Sequence, residues 1–232
     1  MSNTTGDMFK NYSQYIGVIV GTGPSVNETQ LNHIRLARQE DKCRIITINN
    51  SYQVIDPDIH FACNFQWWDY YFKTDPRLKE LRDGGTDMWT WNKDTANKYK
   101  INHVPGRWKD SLSTDKKWIH FGHGSGFEGL GVCYHYDFHT IVLVGYDLKF
   151  PKGYNGKKKV VGEGKRHYFG EYPKTLQHWT QSPNSVDKNG KLIGLIQLYE
   201  KIDCKKLGVN IINCTPGSAL TCFPNKRLEE AI

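Results

Sequence analysis

The chain has 232 residues, of which 38% are hydrophobic and 24% charged, with a formal net charge of +7. This length suits one α/β domain, or one domain with a small lid. No apolar run approaches the ~20 residues that a membrane-spanning helix needs, and the polar first seven residues do not resemble a signal peptide. The positive charge fits acidic partners such as nucleotides, nucleic acid or an anionic surface, and equally a solvated basic surface.

Six cysteines are scattered along the chain and none forms a C-x-x-C pair. This usage predicts a reducing compartment, a cytoplasmic location and no disulfide framework. Cys63 and Cys214 lie in apolar, strand-like runs, so we expect both thiols to be buried.

The first predicted strand, Ile16–Val20, ends in Gly21-Thr-Gly23, and a helix is predicted to follow. In nucleotide-binding α/β domains such glycines let backbone N–H groups approach a phosphate, and Pro24 suits the first helical turn. The third glycine of the dinucleotide fingerprint is replaced by Val26. The motif alone therefore fits a phosphate site and an unliganded glycine-rich turn equally well.

The rest of the chain alternates between strand and helix patterns. Further strands are predicted over residues 44–48, 59–63, 87–91, 118–121, 140–144 and 209–213, and helices over 27–39, 132–138 and 192–206. This alternation predicts an α/β fold with a single Rossmann-like, mostly parallel sheet and helices on both faces. We expect a core over residues 1–150 with an aromatic and basic insertion at about 66–117, a lid over 151–190, and a helix and strand over 191–232 that complete the core.

Small or hydrogen-bonding residues follow nearly every predicted strand. Ligands of parallel sheets bind beyond the carboxyl ends of the strands, so this repetition predicts a polar cleft there. The alternative is that loops begin with such residues anyway. The residues concerned are Gly21, Thr22, Gly23, Asn49, Asn64, Asn92, Ser125, Asp147 and Thr215.

Residues 151–166 form a basic segment with six Lys or Arg, one Glu and four glycines. It fits a lid over a phosphate-bearing donor and equally a solvated surface. His167 follows directly, and a neutral imidazole can take a proton from an acceptor hydroxyl. His123, in a glycine-rich turn, is the second candidate for this role.

Metal and hydrolase chemistry are disfavoured. Asp56-Pro-Asp58 has the D-x-D spacing of metal-dependent sugar transferases, but it precedes a strand, so a turn at the amino edge of the sheet is the better interpretation. His135 and His139 lack a third ligand. No G-x-S-x-G elbow or Walker motif is present, and we expect no metal and no cofactor.

Seven short motifs occur in a recognisable order. They are Gly21-Thr-Gly-Pro-Ser25, Asn49, Asn64 before an aromatic run, Gly124-Ser-Gly126, Gly145-Tyr-Asp147, His167-Tyr-Phe-Gly170 and Cys214-Thr-Pro-Gly-Ser218. In this order the chain resembles the bacterial CMP-sialic acid sialyltransferases that build lipooligosaccharide, and their relatives among flagellin-glycosylation and phage proteins.

The resemblance implies a variant A-type glycosyltransferase fold with a small lid, a metal-independent reaction and a nucleotide-sugar donor, which is a co-substrate. His167 takes the position of the proposed general base. The positions implied to bind the donor are Gly21, Thr22, Gly23, Pro24, Ser25, Asn49, Asn64, Ser125, Asp147, Tyr168, Thr215 and Ser218.

The chain departs from the family pattern in two places. An arginine precedes the family's T-S-G turn, whereas this chain has Gly122 and His123 there. Two family tyrosines that help the phosphate leave are replaced by Lys149 and Tyr154 as the nearest residues. A lysine can stabilise developing phosphate charge, but the identity of the donor sugar stays open.

The sequence therefore predicts an inverting, metal-independent glycosyltransferase that acts on a glycan or lipooligosaccharide hydroxyl. A hydroxymethylated DNA base is an alternative acceptor, because residues 89–118 hold four Trp and seven Lys or Arg and Lys157, Lys158 and Lys159 follow in the basic segment. A non-catalytic nucleotide-binding module is a third interpretation. The oligomeric state stays open, with a homo-oligomer included.

Overall fold

A computed structural model of the chain describes residues 8–122, 124–150, 165–177, 186–187 and 189–232. Its centre is a seven-stranded sheet in which every pair of neighbouring strands is parallel. Its strands are β1 Ile16–Val20, β2 Cys43–Ile48, β3 Ile59–Phe61, β4 Asp87–Thr90, β5 Asn102–His103, β8 Thr140–Val144 and β9 Asn210–Asn213. Their order across the sheet is β5-β4-β3-β2-β1-β8-β9. The predicted α/β class with a parallel sheet is confirmed.

Seven α-helices, two 3₁₀-helices at Asn49–Gln53 and Leu228–Glu230, and a second small sheet complete the described elements. The helices are α1 Glu28–Gln39, α2 Phe65–Thr74, α3 Pro76–Asp83, α4 Lys93–Tyr99, α5 Ser125–His135, α6 Ile193–Glu200 and α7 Cys204–Leu207. Two short strands, β6 Gly106–Arg107 and β7 Ile119–His120, pair with each other in parallel.

Alternating side chains of the central strands build two separate core layers. Val18 and Val20 of β1 pack with Leu31 and Ile34 of α1 on one face of the sheet. Ile19 packs on the other face, in the layer that contains α5 and α6. Since side chains of a strand point alternately to its two faces, the apolar run of β1 is buried on both sides, as parallel sheets require.

The first helix begins later than the sequence predicted. Asn27 caps α1, and its side-chain oxygen accepts a hydrogen bond from the Gln30 amide at 3.1 Å. Pro24 lies in a turn before this cap and not in the first helical turn. An Asn cap satisfies an amide that would otherwise lack a partner at the helix start, so the cap fixes the start at Glu28.

Three other predicted elements have different bounds. The helix expected over 132–138 begins at Ser125, directly after the glycine-rich turn. The strand expected over 118–121 lies outside the main sheet, as β7. The helix expected over 192–206 is two helices, because Asp203 caps α7 by accepting a hydrogen bond from the Lys206 amide.

The aromatic run after Asn64 forms α2, which the sequence analysis did not predict as a helix. Its buried residues recur four apart, as Trp67 with Tyr71 and Trp68 with Phe72, which places each pair on one helical face. These rings form a third core cluster beside β3 and β4.

The order in which strands are added to the sheet reverses at β1. Strands β2 to β5 extend to one side of β1, and β8 and β9 lie on the other side. The connections after β1 and before β8 use helices on opposite faces of the sheet. Such a reversal opens a crevice at the carboxyl ends of the two strands, which is where α/β proteins bind ligands. Within the described part of the chain, no helix combines the length and the apolar character needed to cross a membrane.

Candidate active site at the carboxyl edge of the sheet

A cleft of about 240 Å³ lies at the reversal between β1 and β8. Its walls are the turns after β1 and β8, the ends of β2 and β3, the first turn of α5, the start of α6 and the segment around His167. The sequence-predicted site residues that line it are Gly21, Thr22, Gly23, Pro24, Asn49, Asn64, Ser125, Asp147, Lys149 and His167.

Gly21 and Gly23 let the turns after β1 and β8 pack closely together. A Cβ atom at Gly21 would lie 2.8 Å from the Gly145 carbonyl oxygen, and one at Gly23 would overlap the Asp147 carboxylate. The Gly23 amide donates to Gly145 O at 3.0 Å, and the Gly21 amide donates to Val144 O at 2.8 Å. Both amides are thus already bonded within the protein, so the two glycines allow close approach of the turns.

Asp147 belongs to this contact between the turns. Its carboxylate accepts a hydrogen bond from Ser25 Oγ at 2.8 Å. Burial raises the pKa of Asp147, while the Ser25 hydrogen bond opposes that shift. Ser25 itself does not line the cleft, so its predicted donor role would be indirect, through Asp147.

Thr215 and Ser218 hold the turn after β8 by hydrogen bonds and do not line the cleft. The Tyr146 amide donates to Thr215 Oγ1 at 2.9 Å. Ser218 Oγ donates to the Tyr146 carbonyl. The two hydroxyls together hold both backbone groups of Tyr146, so their contribution to ligand binding would be positional.

The start of α5 forms one wall of the cleft, with Gly124, Ser125 and Gly126. The first amides of a helix have no carbonyl partner within it and carry the positive end of the helix dipole. This wall therefore suits an anion such as a phosphate.

A buried carboxyl lies beneath this wall. Glu128, in the first turn of α5, accepts hydrogen bonds from the Gly122 amide and from the Cys63 thiol. Burial raises the pKa of both Glu128 and Cys63. The thiol is therefore a structural donor that links the end of β3 to α5, and it is not an activated nucleophile.

Two strand-end asparagines line the cleft from the other side. Asn49 has a left-handed backbone with a φ of 50°, a conformation that asparagine tolerates better than most residues. Asn64 precedes α2. Between them Asn50 is buried, where its amide accepts from Trp67 Nε1 and donates to the Tyr71 hydroxyl, so α2 fixes the turn that presents Asn49.

His167 is docked onto the turn after β1. Its Nδ1 lies 3.1 Å from Thr22 Oγ1, and its ring stacks on Phe169 at 4.9 Å between centroids. The next residue, Tyr168, donates its amide to the Thr22 carbonyl at 3.1 Å and its hydroxyl to the Asn50 carbonyl at 2.6 Å. Tyr168 does not line the cleft; it anchors the segment that carries His167.

The surroundings of His167 keep its ring neutral. Burial lowers the pKa of His167 to about 4, and the neighbouring Arg166 charge adds to the effect. Glu171 and a hydrogen bond to the Thr22 backbone act in the opposite direction. The imidazole is therefore unprotonated at neutral pH, the form that can accept a proton.

Two cationic groups line the cleft. The Lys149 ammonium, on an exposed side chain, donates to the Gly217 carbonyl. Arg166 pairs with both carboxylate oxygens of Glu171 and keeps only 10% of its side chain exposed. From the sequence, Arg166 was predicted only as part of the basic segment that fits a lid over the donor, and was not singled out, although its position next to His167 was the available signal.

Four apolar or aromatic residues that the sequence did not predict as site residues also line the cleft, namely Phe127, Leu192, Leu195 and Tyr199. In the sequence, the α6 residues among them indicate only a helix. Leu195 and Tyr199 lie beside the start of α5, since Cβ atoms at Gly124 and Gly126 would lie 3.5 Å and 3.2 Å from them. The cleft thus combines polar turns with apolar side chains, as is usual for small-molecule sites.

Several predicted residues fall outside the described part of the chain. They are His123, Tyr154, Lys157, Lys158 and Lys159.

The D-x-D pair lies before β3, at the amino edge, as predicted. Asp56 pairs with Arg77, and Asp58 pairs with Arg38 and accepts the Ile45 amide. Within the described residues, no three His, Cys, Asp or Glu side chains cluster to form a metal site. His135 is buried, and its Nε2 lies 2.7 Å from the Trp118 carbonyl.

All six cysteines are free, and Cys63 and Cys214 are buried as predicted.

No protein-family model matches this chain, and no curated protein matches it. Among solved structures, the sialyltransferase CstII from Campylobacter jejuni, in complex with the substrate analogue CMP-3FNeuAc, is similar to it with a TM-score of 0.47 and 14% identity. The match covers 90% of this chain and 85% of that chain. At 14% identity, the similarity concerns the backbone fold alone.

Proposed function

We propose that this protein is a metal-independent, inverting glycosyltransferase that moves a sugar from a nucleotide-sugar donor, a CMP-sugar by resemblance, to a hydroxyl of a glycan. One observation carries the proposal: the α5 N-terminus, Lys149, Arg166 and a neutral His167 line one cleft at the reversal of the sheet. Groups suited to a phosphate and a ring able to accept a proton thus line one small volume.

The donor phosphate would lie at the start of α5. The amides of Ser125 and Gly126 offer hydrogen-bond donors, and the helix dipole favours negative charge there. Lys149 supplies a full positive charge in the same cleft, where Arg166 also lies, paired with Glu171. Such preorganised groups stabilise the charge that develops on a leaving phosphate, and electrostatic stabilisation of this kind is usually the largest single contribution to lowering the activation barrier.

His167 would act as the general base. In the tautomer whose Nδ1 proton points to Thr22, Nε2 keeps a lone pair. It takes the proton of the acceptor hydroxyl while the oxygen forms a bond to the anomeric carbon. The bond from that carbon to the phosphate oxygen breaks, and its electron pair leaves with the nucleotide. Attack from the side opposite the leaving group inverts the configuration.

The placement of the aromatic and basic stretch favours a glycan over DNA as acceptor. Trp89 is fully buried. Lys98 pairs with Asp69, and Lys116 pairs with Asp137. Trp89 therefore cannot stack on a base, and the charges of Lys98 and Lys116 are offset by their carboxylate partners, which counts against this stretch as a nucleic-acid surface.

Mass spectrometry of products tests the proposal. The full chain is incubated with a panel of nucleotide sugars and with two kinds of acceptor, an oligosaccharide and hydroxymethylcytosine DNA, in excess EDTA. The expected product is the oligosaccharide plus one sugar. Sugar transfer to DNA instead of the oligosaccharide would show that DNA is the acceptor. Activity that appears only when Mn²⁺ or Mg²⁺ is added back would overturn the metal-independent mechanism. Nucleotide binding without any product would indicate a non-catalytic binding module.

A further inference from the structure

One buried hydroxyl at the cleft has no hydrogen-bond partner among the described residues. The Tyr172 hydroxyl is one of two buried side-chain polar atoms for which that part of the chain provides no partner. The other, His60 Nε2, lies among the rings of Trp67 and Trp68 in the core. Tyr172, in contrast, lines the candidate active site. Leaving a buried hydroxyl unpaired costs free energy, so such a group in a folded protein calls for an explanation.

The Tyr172 ring is held in place by its neighbours. It meets the His167 ring edge-on, with 5.0 Å between centroids, and meets Phe169 edge-on at the same distance. Its backbone carbonyl accepts a hydrogen bond from Gln177 Nε2 at 3.0 Å. These contacts fix the ring, so packing sets the position of the hydroxyl.

The hydroxyl lies beside the turn that presents Asn49 to the cleft. Two other tyrosine hydroxyls bond to this turn: Tyr71 accepts from Asn50 Nδ2 at 2.6 Å, and Tyr168 donates to the Asn50 carbonyl at 2.6 Å. Burial raises the pKa of Tyr172, and the Asn49 side chain opposes that rise. The Asn49 amide is thus close to the Tyr172 hydroxyl, although the two do not form a hydrogen bond.

We propose that Tyr172 is a positioning residue for nucleotide binding: when a nucleotide enters the cleft, the Tyr172 hydroxyl bonds to the Asn49 amide and holds that side chain against the ligand. This inference rests on the proposed function, because Asn49 would contact the nucleotide part of the donor. Asn49 lines the cleft and is only half-buried, so its side chain has room to turn. A side-chain amide has both a donor and an acceptor group, so Asn49 can bond to the hydroxyl with one and to the ligand with the other.

The substitution Tyr172→Phe separates this role from a structural one. It keeps the ring and its contacts with His167 and Phe169 and removes only the hydroxyl. A hydroxyl that is bonded in the unliganded protein contributes to stability, whereas one that gains its partner on binding contributes to affinity. We therefore expect the melting temperature to be at least that of wild type, and the affinity for CMP, measured by calorimetry, to fall roughly three- to tenfold.

Tyr52→Phe is the matched control. Tyr52 belongs to the same core cluster as Tyr172, but its hydroxyl donates to Asp75 at 2.7 Å and it does not line the cleft. Loss of this hydrogen bond should lower the melting temperature by about 2–4 °C and leave the affinity for CMP unchanged.

A double-mutant cycle shows whether Tyr172 acts through Asn49. Asn49→Gly removes the amide and tolerates the backbone φ of 50° at this position, since glycine readily adopts it. If Tyr172 acts through Asn49, adding Tyr172→Phe to Asn49→Gly should cause no further loss of affinity for CMP.

Three results would overturn the inference while wild type still binds CMP and the donor site stands. They are equal affinity for CMP in wild type and Tyr172→Phe, additive losses in the double variant, or a melting temperature of Tyr172→Phe that is lowered as far as that of Tyr52→Phe. If wild type itself binds no CMP, the proposed CMP site fails, and this inference fails with it.

Discussion

At the scale of single residues, the proposed chemistry depends on one histidine ring and on the contacts that hold it. His167 is held by Thr22 on one edge and by the Phe169 ring on its face. We expect His167→Asn and His167→Ala to lower kcat by about 10²–10⁴-fold, because a positioned base contributes that much to proton transfer. Nucleotide affinity, measured by calorimetry, should stay within about twofold of wild type.

The control for this variant is His139→Ala. His139 is exposed and precedes β8, at the opposite edge of the sheet from the cleft, so its removal should leave kcat unchanged. Wild-type turnover in both His167 variants would remove the base assignment, and His123 would be the next residue to test.

The lowered pKa of His167 gives a second test at this scale. Burial disfavours the imidazolium and brings the pKa of His167 to about 4, so the ring is unprotonated from about pH 5 upward. The acidic limb of kcat/KM, which reports the free enzyme, should therefore fall near pH 4, with a plateau from about pH 5 to 8. A limb between pH 6 and 7 would show that the essential base has an ordinary histidine environment.

At the scale of elements, the start of α5 is the feature that makes the cleft an anion site. Ser125→Asp places a negative charge in the first turn, which favours the helix by about 0.3–1 kcal/mol but repels a bound phosphate. We expect the melting temperature to be at least that of wild type and nucleotide affinity to fall more than tenfold. Ser125→Asn has a similar size without the charge, so it should bind nearly as wild type does. Equal nucleotide affinity in Ser125→Asp and wild type would show that the phosphate does not bind at the start of α5.

The elements differ in how far the sequence could predict them. Ile16–Val20 and Thr140–Val144 were predicted to the residue, because central parallel strands are continuous apolar runs between turn residues. The residue pattern predicted the start of α5 too late, at Val132, because Gly124-Ser-Gly126 looks like a loop and glycine is a poor helix former; the family resemblance, by contrast, implies that this turn opens a helix, as it does. Tertiary packing overrides this propensity: Gly129 lies so close to Ile48 that a Cβ there would overlap its side chain.

Candidate site residues were predictable where they follow strands, and not where the site comes from packing between distant segments. Asn49, Asn64, Ser125 and Asp147 follow predicted strands, and the structure brings them to one cleft. Leu195 belongs to α6, which is far in the sequence from the strand ends that form the cleft, so no local pattern predicts that Leu195 lines the cleft. The roles of all these residues in binding stay predictions.

At the scale of the whole molecule, the sheet reversal joins two halves of the chain at one edge. The turn after β1 and the turn after β8 are more than a hundred residues apart in sequence, yet they are packed through Gly23 and Asp147. The cationic groups Lys149 and Arg166 lie at this same edge. Asp147 lines the same cleft and Glu171 pairs with Arg166, so it is Lys149 and the start of α5, rather than the net charge of +7, that favour an anionic ligand there.

Calorimetric titration of the full chain with CMP, CDP, UMP, UDP and AMP tests the central claim most directly, because it asks whether the cleft holds a nucleotide at all. The account predicts saturable binding of one nucleotide per chain, with CMP the tightest by resemblance, and its loss in Ser125→Asp. Binding of none of the five nucleotides to wild type would contradict the donor site and the glycosyltransferase function proposed from it.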